Sequence, residues 1–344
     1  MYSRTAPSRS DEVELSFSQA LNYALSEALE RDETVTLLGQ DIGRLGGLYR
    51  VTTGLVERYG SHRIIDAPVA ESGLVGAAIG MAMNGLKPVV ELQFDAFSYP
   101  ALEQIFSHLA KFCYRTQGAI TLPVVIRIPY GGGIGAVEHH SDSSEAYFAH
   151  TPGLRVVTPS TPSDAYGMLK ASIASRDPVI FLEPKRRYWD KECIDLSANV
   201  SDIEKSLVRR KGTDVTIISY GGSVAVALEA AELAFDHGWD VEVVDLRSLA
   251  PFDDTTSGDS VRKTGRCIVV HEAPRFLGYG AEVAARLTEE CFHYLSAPIL
   301  RVAGLDAPYP PPRLEGDYLP SVSKILEAIK RLQWDESQVA VTHG

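Results

Sequence analysis

The sequence predicts two consecutive α/β domains, each a doubly wound sheet of parallel strands with helices on both faces. Three observations predict it. Short β-branched or apolar runs at 34–38, 63–66, 88–92, 122–128, 155–157 and 179–182 alternate with stretches of helical periodicity, the pattern of parallel strands joined by crossover helices. The alternation breaks down between Pro184 and Gly212 and restarts at Val215. At 344 residues, with 45% hydrophobic and 23% charged side chains, the chain is long enough for two ordinary globular cores. The expected division is a flexible tail over 1–14, a first domain over 15–190, a linker over 191–212 and a second domain over 213–340.

The elements follow in order. Ser16 or Ser18 can cap a helix to about residue 30, with Phe17, Ala20, Leu21, Ala24, Leu25 and Ala28 on one side. A buried strand at 34–38 meets a loop that Gly43, Gly46 and Gly47 make flexible. A helix over 52–59 leads to the strand at 63–66, and a further helix, opened by Glu71, precedes the strand at 88–92. A long helix is expected over 97–115, then the strand at 122–128 and a loop rich in Gly and His over 130–144. Strand 155–157, helix 163–175 and strand 179–182 complete the first half. Lys185, Arg186 and Arg187 then read as solvated charge on a surface linker. The second half offers strands at 215–220, 241–244, 267–270 and 299–302, with helices at 224–237, 254–263, 279–291 and 321–332. A proline-rich turn at 308–312 precedes the last helix.

The net charge of −12 argues against nucleic acid or an anionic membrane as partner. No apolar run is long enough to span a bilayer. Cys113, Cys193, Cys267 and Cys291 form no C-x-x-C pair and read as reduced, buried thiols of a reducing compartment. Arg4, Arg9 and several serines before Asp11 lack the apolar face of a transit peptide, so a disordered tail is expected there.

Chemistry concentrates in a few stretches. Glu71 opens a segment with no other charge until Lys87, and Gly73, Gly76, Ala77 and Gly80 recur on one helical face. Glycine costs about 1 kcal/mol per helix position relative to Ala, so such a face needs a packing reason. Burial would raise the pKa of Glu71, whereas the helix dipole would lower it. Phe94, Phe97 and Tyr99 cluster after the strand at 88–92, where a ring can stack on a heteroaromatic group or fill the core. In the Gly/His loop, His139 and His140 suit acid–base work near neutral pH. They equally suit a plain surface, and a zinc site lacks further ligands at a defined spacing. Gly221 and Gly222, with Asp245 about two dozen residues on, resemble a dinucleotide-binding turn, but Val224, Ala225 and Val226 break the G-x-G-x-x-G fingerprint.

Taken in order, these segments resemble the β subunit of the thiamine-diphosphate-dependent E1 component of 2-oxo acid dehydrogenase complexes. The resemblance runs from about Leu15 to Leu332. The family's E-x4-G-Φ-x-x-G-Φ motif is matched by Glu71, Gly76, Ala77, Gly80 and Met81. Asp66-Ala67-Pro68, Gln93-Phe94, His140-Ser141, the run Glu145 to His150, Phe181 to Lys185, Asp245-Leu246-Arg247 and His271-Glu272 are similar too.

The resemblance implies a thiamine-diphosphate-binding fold (pyrimidine domain) followed by a transketolase C-terminal-like domain. It implies Glu71 as the catalytic carboxyl group that shares a proton with ring N1′ of the aminopyrimidine, with Leu74 and Phe97 lining that pocket. It implies His140 as the catalytic loop histidine near the thiazolium, although the adjacent His139 could exchange roles with it. A potassium site of backbone carbonyls near Val124 and Asp177 is implied as well. Thiamine enzymes hold the diphosphate and Mg2+ through G-D-G and a later Asn, and no G-D-G occurs here. The expected partner is therefore an E1 α subunit in an α2β2 assembly, which would hold the Mg2+. The C-terminal domain is expected to dock an E2 lipoyl acyltransferase core. A branched-chain 2-oxo acid is the expected substrate, with pyruvate or acetoin as the alternative. The expected location is the cytoplasm, or the mitochondrial matrix if the source is eukaryotic.

Overall fold

The computed structural model describes residues 12–197 and 202–332. The disordered-tail expectation for 1–11, part of the expected linker at 198–201, and the domain end at 333–340 lie outside the described residues.

Strand β1 (Glu12–Ser16) pairs antiparallel with β8 (Lys191–Asp195) in a small two-stranded sheet. Helix α1 (Phe17–Arg31) starts with a capping box. The Gln19 N–H donates to Ser16 Oγ at 3.2 Å, and the Ser16 N–H donates to Gln19 Oε1 at 2.8 Å. Then follow β2 (Val35–Gly39), α2 (Leu55–Tyr59), β3 (Ile64–Asp66), α3 (Glu71–Met83) and β4 (Lys87–Glu91). After α4 (Phe112–Arg115) come β5 (Val125–Tyr130), α5 (Glu145–Ala149), β6 (Arg155–Val157), α6 (Pro162–Ala174) and β7 (Val179–Pro184). The second half begins with β9 (Leu207–Arg210), β10 (Val215–Ser219), α7 (Ser223–Asp236), β11 (Val241–Asp245) and β12 (Ser248–Ala250). It ends with α8 (Asp254–Thr264), β13 (Cys267–Pro274), α9 (Tyr279–Cys291), β14 (Leu300–Gly304), α10 (Glu315–Tyr318) and α11 (Val322–Arg331).

The large sheet runs β12-β6-β7-β5-β4-β2-β3, and the second runs β14-β13-β10-β11-β9. All pairings within them are parallel except those of the edge strands β12 and β9. Strand alternation separates the cores. In the large sheet Leu37, Val89, Val125, Val157 and Phe181 face α1 and α6. Their neighbours Leu38, Val90, Ile126, Val156 and Ile180 share one core with Ile218, Val244 and Val269 of the second sheet. The two domains thus face a common interior, while Ile217, Val243 and Ile268 bury against α7 and α11.

Several expectations are corrected. The long helix over 97–115 is instead a 3-10 segment (Asp95–Ala101), a π-helix (Gln104–Leu109) and α4. Pro100 inside the first piece has no N–H to offer an α-helical ladder, and the Ala110 N–H reaches back five residues to the Ile105 carbonyl. The tail over 1–14 loses residues 12–14 to β1, and the linker over 191–212 loses β8 and β9. β1 does alternate, with Val13 and Leu15 between Glu12, Glu14 and Ser16, but β8 and β9 carry little apolar periodicity, and ladder partners distant in sequence decide them. The basic triplet is not solvated linker: Lys185 is fully buried, and Arg186 and Arg187 pair with Glu272 and Asp190. The loop after β2 is a closely bonded turn. Gly46 and Gly47 take left-handed φ of 75° and 76°, and a Cβ on Gly47 would sit 2.9 Å from Glu91 Oε1. Cys267 and Cys291 are buried thiols, but Cys113 is half-buried and Cys193 exposed. No described helix is long and apolar enough to cross a membrane.

Candidate active site

Glu71 is the first residue of α3 and is 7% exposed. Gln40, just past β2, donates from Nε2 to Glu71 Oε1 at 3.1 Å, and Gln40 Oε1 is itself buried without a donor. One turn on, Leu74 is buried in the shared core with Val75, Ala78, Ile79 and Ala82. The opposite face is bare. A Cβ on Gly80 would meet nothing within 4 Å, and one on Gly76 would meet only Gln104 at 3.6 Å. The chain's own packing therefore gives no reason for glycine at these two positions.

Helix α3 packs against the 3-10 segment that carries Phe97. Here the structure gathers the aromatic cluster and the loop histidines. The Phe94 ring lies 4.2 Å from His140 and 5.5 Å from Phe97, centroid to centroid. Phe97 meets His140 at 5.6 Å edge-on and His139 at 6.2 Å and 29°, and the two imidazoles are 4.3 Å apart. Phe97 is thus closer to parallel with His139, while His140 is the better buried of the pair. Burial, and then the neighbouring His139 and Lys185, hold His140 below the usual histidine range against a small opposing pull from Glu138. A neutral imidazole at pH 7 follows.

The loop is tied at its far end to the same segment. Asp95 is fully buried and accepts from the backbone N–H of Ser144 at 2.8 Å and from its hydroxyl. Burial pushes its carboxyl up to about 6, against the pull of Ser144 and Lys185. Tyr99 donates to Asp142 at 2.7 Å.

Two groups escaped the sequence reading. Lys185 is 1% exposed, with Nζ lacking any hydrogen-bond partner and lying 5.6 Å from the Phe94 centroid. Burial pulls its ammonium down to about 8, opposed by Asp95, Glu272 and Asp142. The second is the buried triad beneath the site. Arg127 donates from Nε to Glu183 Oε1 at 2.7 Å and from one terminal nitrogen to Glu91 Oε2 at 2.6 Å, and Tyr188 donates to Glu183 at 2.5 Å. Burial alone would lower the Arg127 pKa, yet Glu183 and Glu91 hold it raised. A signal existed: Glu91, Arg127 and Glu183 each follow buried apolar residues of β4, β5 and β7, so these charges must find one another, and Glu91 and Arg127 are register partners.

The potassium candidates lie apart from this cluster. The Val124 carbonyl accepts from the Val179 N–H at 2.9 Å, and the Asp177 carboxylate faces Arg155 at 2.9 Å. Among the described residues no group of three or more His, Cys, Asp or Glu side chains is arranged to hold a metal. The turn at Gly221 and Gly222 is filled rather than open to a nucleotide. A Cβ there would press on the Tyr130 hydroxyl, Glu272 and Arg186. Its glycines serve domain packing.

Residues 13–190 match the family described as transketolase, pyrimidine binding domain, and residues 204–325 match transketolase, C-terminal domain. The chain is 52% identical over 319 residues to the 3-methyl-2-oxobutanoate dehydrogenase subunit beta of Mycobacterium tuberculosis, covering 92% of each chain. It is 54% identical over 313 residues to the pyruvate dehydrogenase E1 component subunit beta of Leifsonia xyli subsp. xyli, covering 91% of this chain and 93% of that one. Among solved structures, a split-gene transketolase described as an inactive beta4 tetramer superposes with a TM-score of 0.77 at 24% identity. That match covers 92% of this chain and 98% of the other, and it supports the fold.

Proposed function

The chain belongs to the family of E1 β subunits of thiamine-diphosphate-dependent 2-oxo acid dehydrogenases, and from that premise we propose that it supplies the pyrimidine side of a thiamine site shared with an α subunit. The reaction is the oxidative decarboxylation of a branched-chain 2-oxo acid with acyl transfer to lipoamide. The observation that carries the site is the buried Glu71 carboxylate at the start of a helix that packs on the Phe97 segment. Its surroundings fit an aminopyrimidine. Gln40 engages only Glu71 Oε1, and the orphaned Gln40 Oε1 offers a buried acceptor beside it.

When bound, thiamine diphosphate supplies the carbanion chemistry that decarboxylation requires. Through the oxygen that Gln40 leaves free, Glu71 would share a proton with the aminopyrimidine ring, beside the buried Leu74 side chain. Phe97 gives the pyrimidine a stacking surface. His140, kept neutral by its surroundings, can accept and return a proton during acyl transfer. His139 keeps the other ring of the pair near the same aromatic face.

The α subunit completes the site in an α2β2 assembly, bringing the diphosphate and Mg2+ half. The bare face of α3 is read as the surface that receives another subunit. The second domain is read as the dock for the E2 core. A potassium ion near Val124 and Asp177 would use backbone carbonyl oxygens, among them the lone pair that the Val179 N–H leaves free on Val124. Unpaired cysteines suit the reducing cytoplasm, or the mitochondrial matrix in a eukaryote.

Glu71→Gln in the reconstituted αβ enzyme is expected to assemble normally and to lose decarboxylation by about 100-fold or more, measured with an artificial electron acceptor. Near-normal turnover would sink the assignment. Pyruvate is the second reading, because relatives of similar identity carry either substrate's name. A higher kcat/KM for pyruvate than for 2-oxoisovalerate in the same assay would establish it.

A further inference from the structure

In the glycine turn ahead of the loop histidines, the Gly131 N–H closes the loop on the Asp142 carbonyl at 2.7 Å, and the N–H groups of Gly132, Gly133 and Gly135 reach the second domain. The Gly132 N–H donates to Glu272 Oε2 at 3.0 Å. The Gly133 N–H is shared between Glu315 Oε1 at 2.9 Å and the Tyr309 hydroxyl at 3.1 Å, and the Gly135 N–H reaches Glu315 Oε1 at 3.3 Å. Tyr309 in turn donates to the same Glu315 oxygen at 2.6 Å. The second oxygen of Glu272 pairs with Arg186 at 2.6 Å, so that carboxylate is itself fixed.

The turn's own sequence could not hold this shape. Gly131, Gly133 and Gly135 take φ of 80°, 85° and 69°, and glycine loses more conformational freedom on ordering than any other residue. Carboxylates that collect successive backbone N–H groups supply the missing restraint. Close approach is built in on both sides. A Cβ on Gly132 would overlap the Tyr309 hydroxyl, and one on Gly131 would lie 2.8 Å from Glu272 Oε2. Tyr309 is held by Pro308 and Pro310 in the chain and by the Tyr318 ring at 4.9 Å. The proline-rich turn thus has a use, presenting a rigid phenol to the glycine loop.

We propose that Glu315, Tyr309 and Glu272 are positioning residues, through which the second domain holds the glycine turn and so sets His139 and His140 against Phe94 and Phe97. This rests on the reading of His140 as the proton-handling group of acyl transfer.

The test uses the assembled αβ enzyme with thiamine diphosphate and Mg2+, carrying Glu315→Ala, Glu315→Gln or His140→Ala in the β chain. Amide exchange of the peptide spanning 130–140 is followed together with acyl transfer to a lipoyl domain. Glu315→Ala is expected to speed loop exchange and to lower kcat for transfer about tenfold or more. Glu315→Gln, whose amide oxygen still accepts, restores most of both. An equal thermal midpoint in the two Glu315 variants separates positioning from a fold defect. His140→Ala lowers transfer while leaving loop exchange as in the parent. The proposal is overturned if Glu315→Ala leaves loop exchange unchanged, or if it frees the loop without slowing transfer in an enzyme that His140→Ala does slow. If His140→Ala leaves transfer intact, the functional reading of that histidine fails, and the exchange arm alone decides whether the second domain anchors the loop.

Discussion

His271 is fully buried in the middle of β13, stacked at 9° on Tyr220, with neither ring nitrogen hydrogen-bonded by ordinary geometry. Burial, helped by Arg301 and opposed by the Ala273 backbone, lowers it to about 4 from 6.5. Between pH 6.5 and 4 the unfolded chain therefore takes up a proton at this residue that the folded chain refuses. Its stabilising effect is complete above pH 6.5 and is lost as pH falls toward 4. Asp95 and Glu145 act in the opposite sense, because burial raises them to about 6 and about 7, so that the folded chain holds protons the unfolded chain has released. Comparison with His271→Gln isolates the histidine. The parent-minus-variant difference in unfolding free energy should rise by up to about 3 kcal/mol from pH 4 to 6.5. A flat difference in urea titrations across that range would contradict the buried, neutral ring.

At the scale of elements, α3 is a helix whose two faces answer to different partners. Leu74, Val75, Ala78 and Ile79 fill the shared core, which explains the helix in this chain. Gly80 and Gly76 have almost nothing opposite them. Gly80→Leu should leave the isolated chain as stable as the parent, or slightly more so, since glycine is a poor helix former. The same change should abolish or sharply weaken co-assembly with the α subunit, read by analytical ultracentrifugation. Normal assembly would remove the reason offered for the glycine face. The broken 95–109 region shows the reverse case, where helical periodicity was legible but Pro100 and the register of the Ala110 N–H decided the actual geometry.

At the scale of the molecule, the two domains are knitted together. Strand β12 follows a strand of the second sheet yet pairs with β6 in the first. Arg209 pairs with both Asp164 and Asp245, Arg247 with Asp164, and Ser160 donates to Asp245. Ile180 and Leu182 of one domain share a core with Val244 and Leu249 of the other. Exposing that core from either side strands apolar surface on both. The chain should therefore unfold in one cooperative transition, with calorimetric and van't Hoff enthalpies in agreement. Two resolved transitions would show the domains to be energetically separate.

The sequence by itself determined the α/β class, the two-domain order and the residues around which the proposed site is built, because strand runs, helix periodicity and the Glu71 motif are local patterns. It did not reveal that Lys185 is buried, that β8 and β9 are strands, or that Glu91, Arg127 and Glu183 meet beneath the site. Nor did it show that Glu272 and Glu315 hold the glycine turn from 140 and 182 residues away. Those facts depend on which distant groups the fold brings within hydrogen-bond range. A buried charge or an edge strand is stabilised only by its partner, so its state is undefined until the tertiary structure supplies that partner.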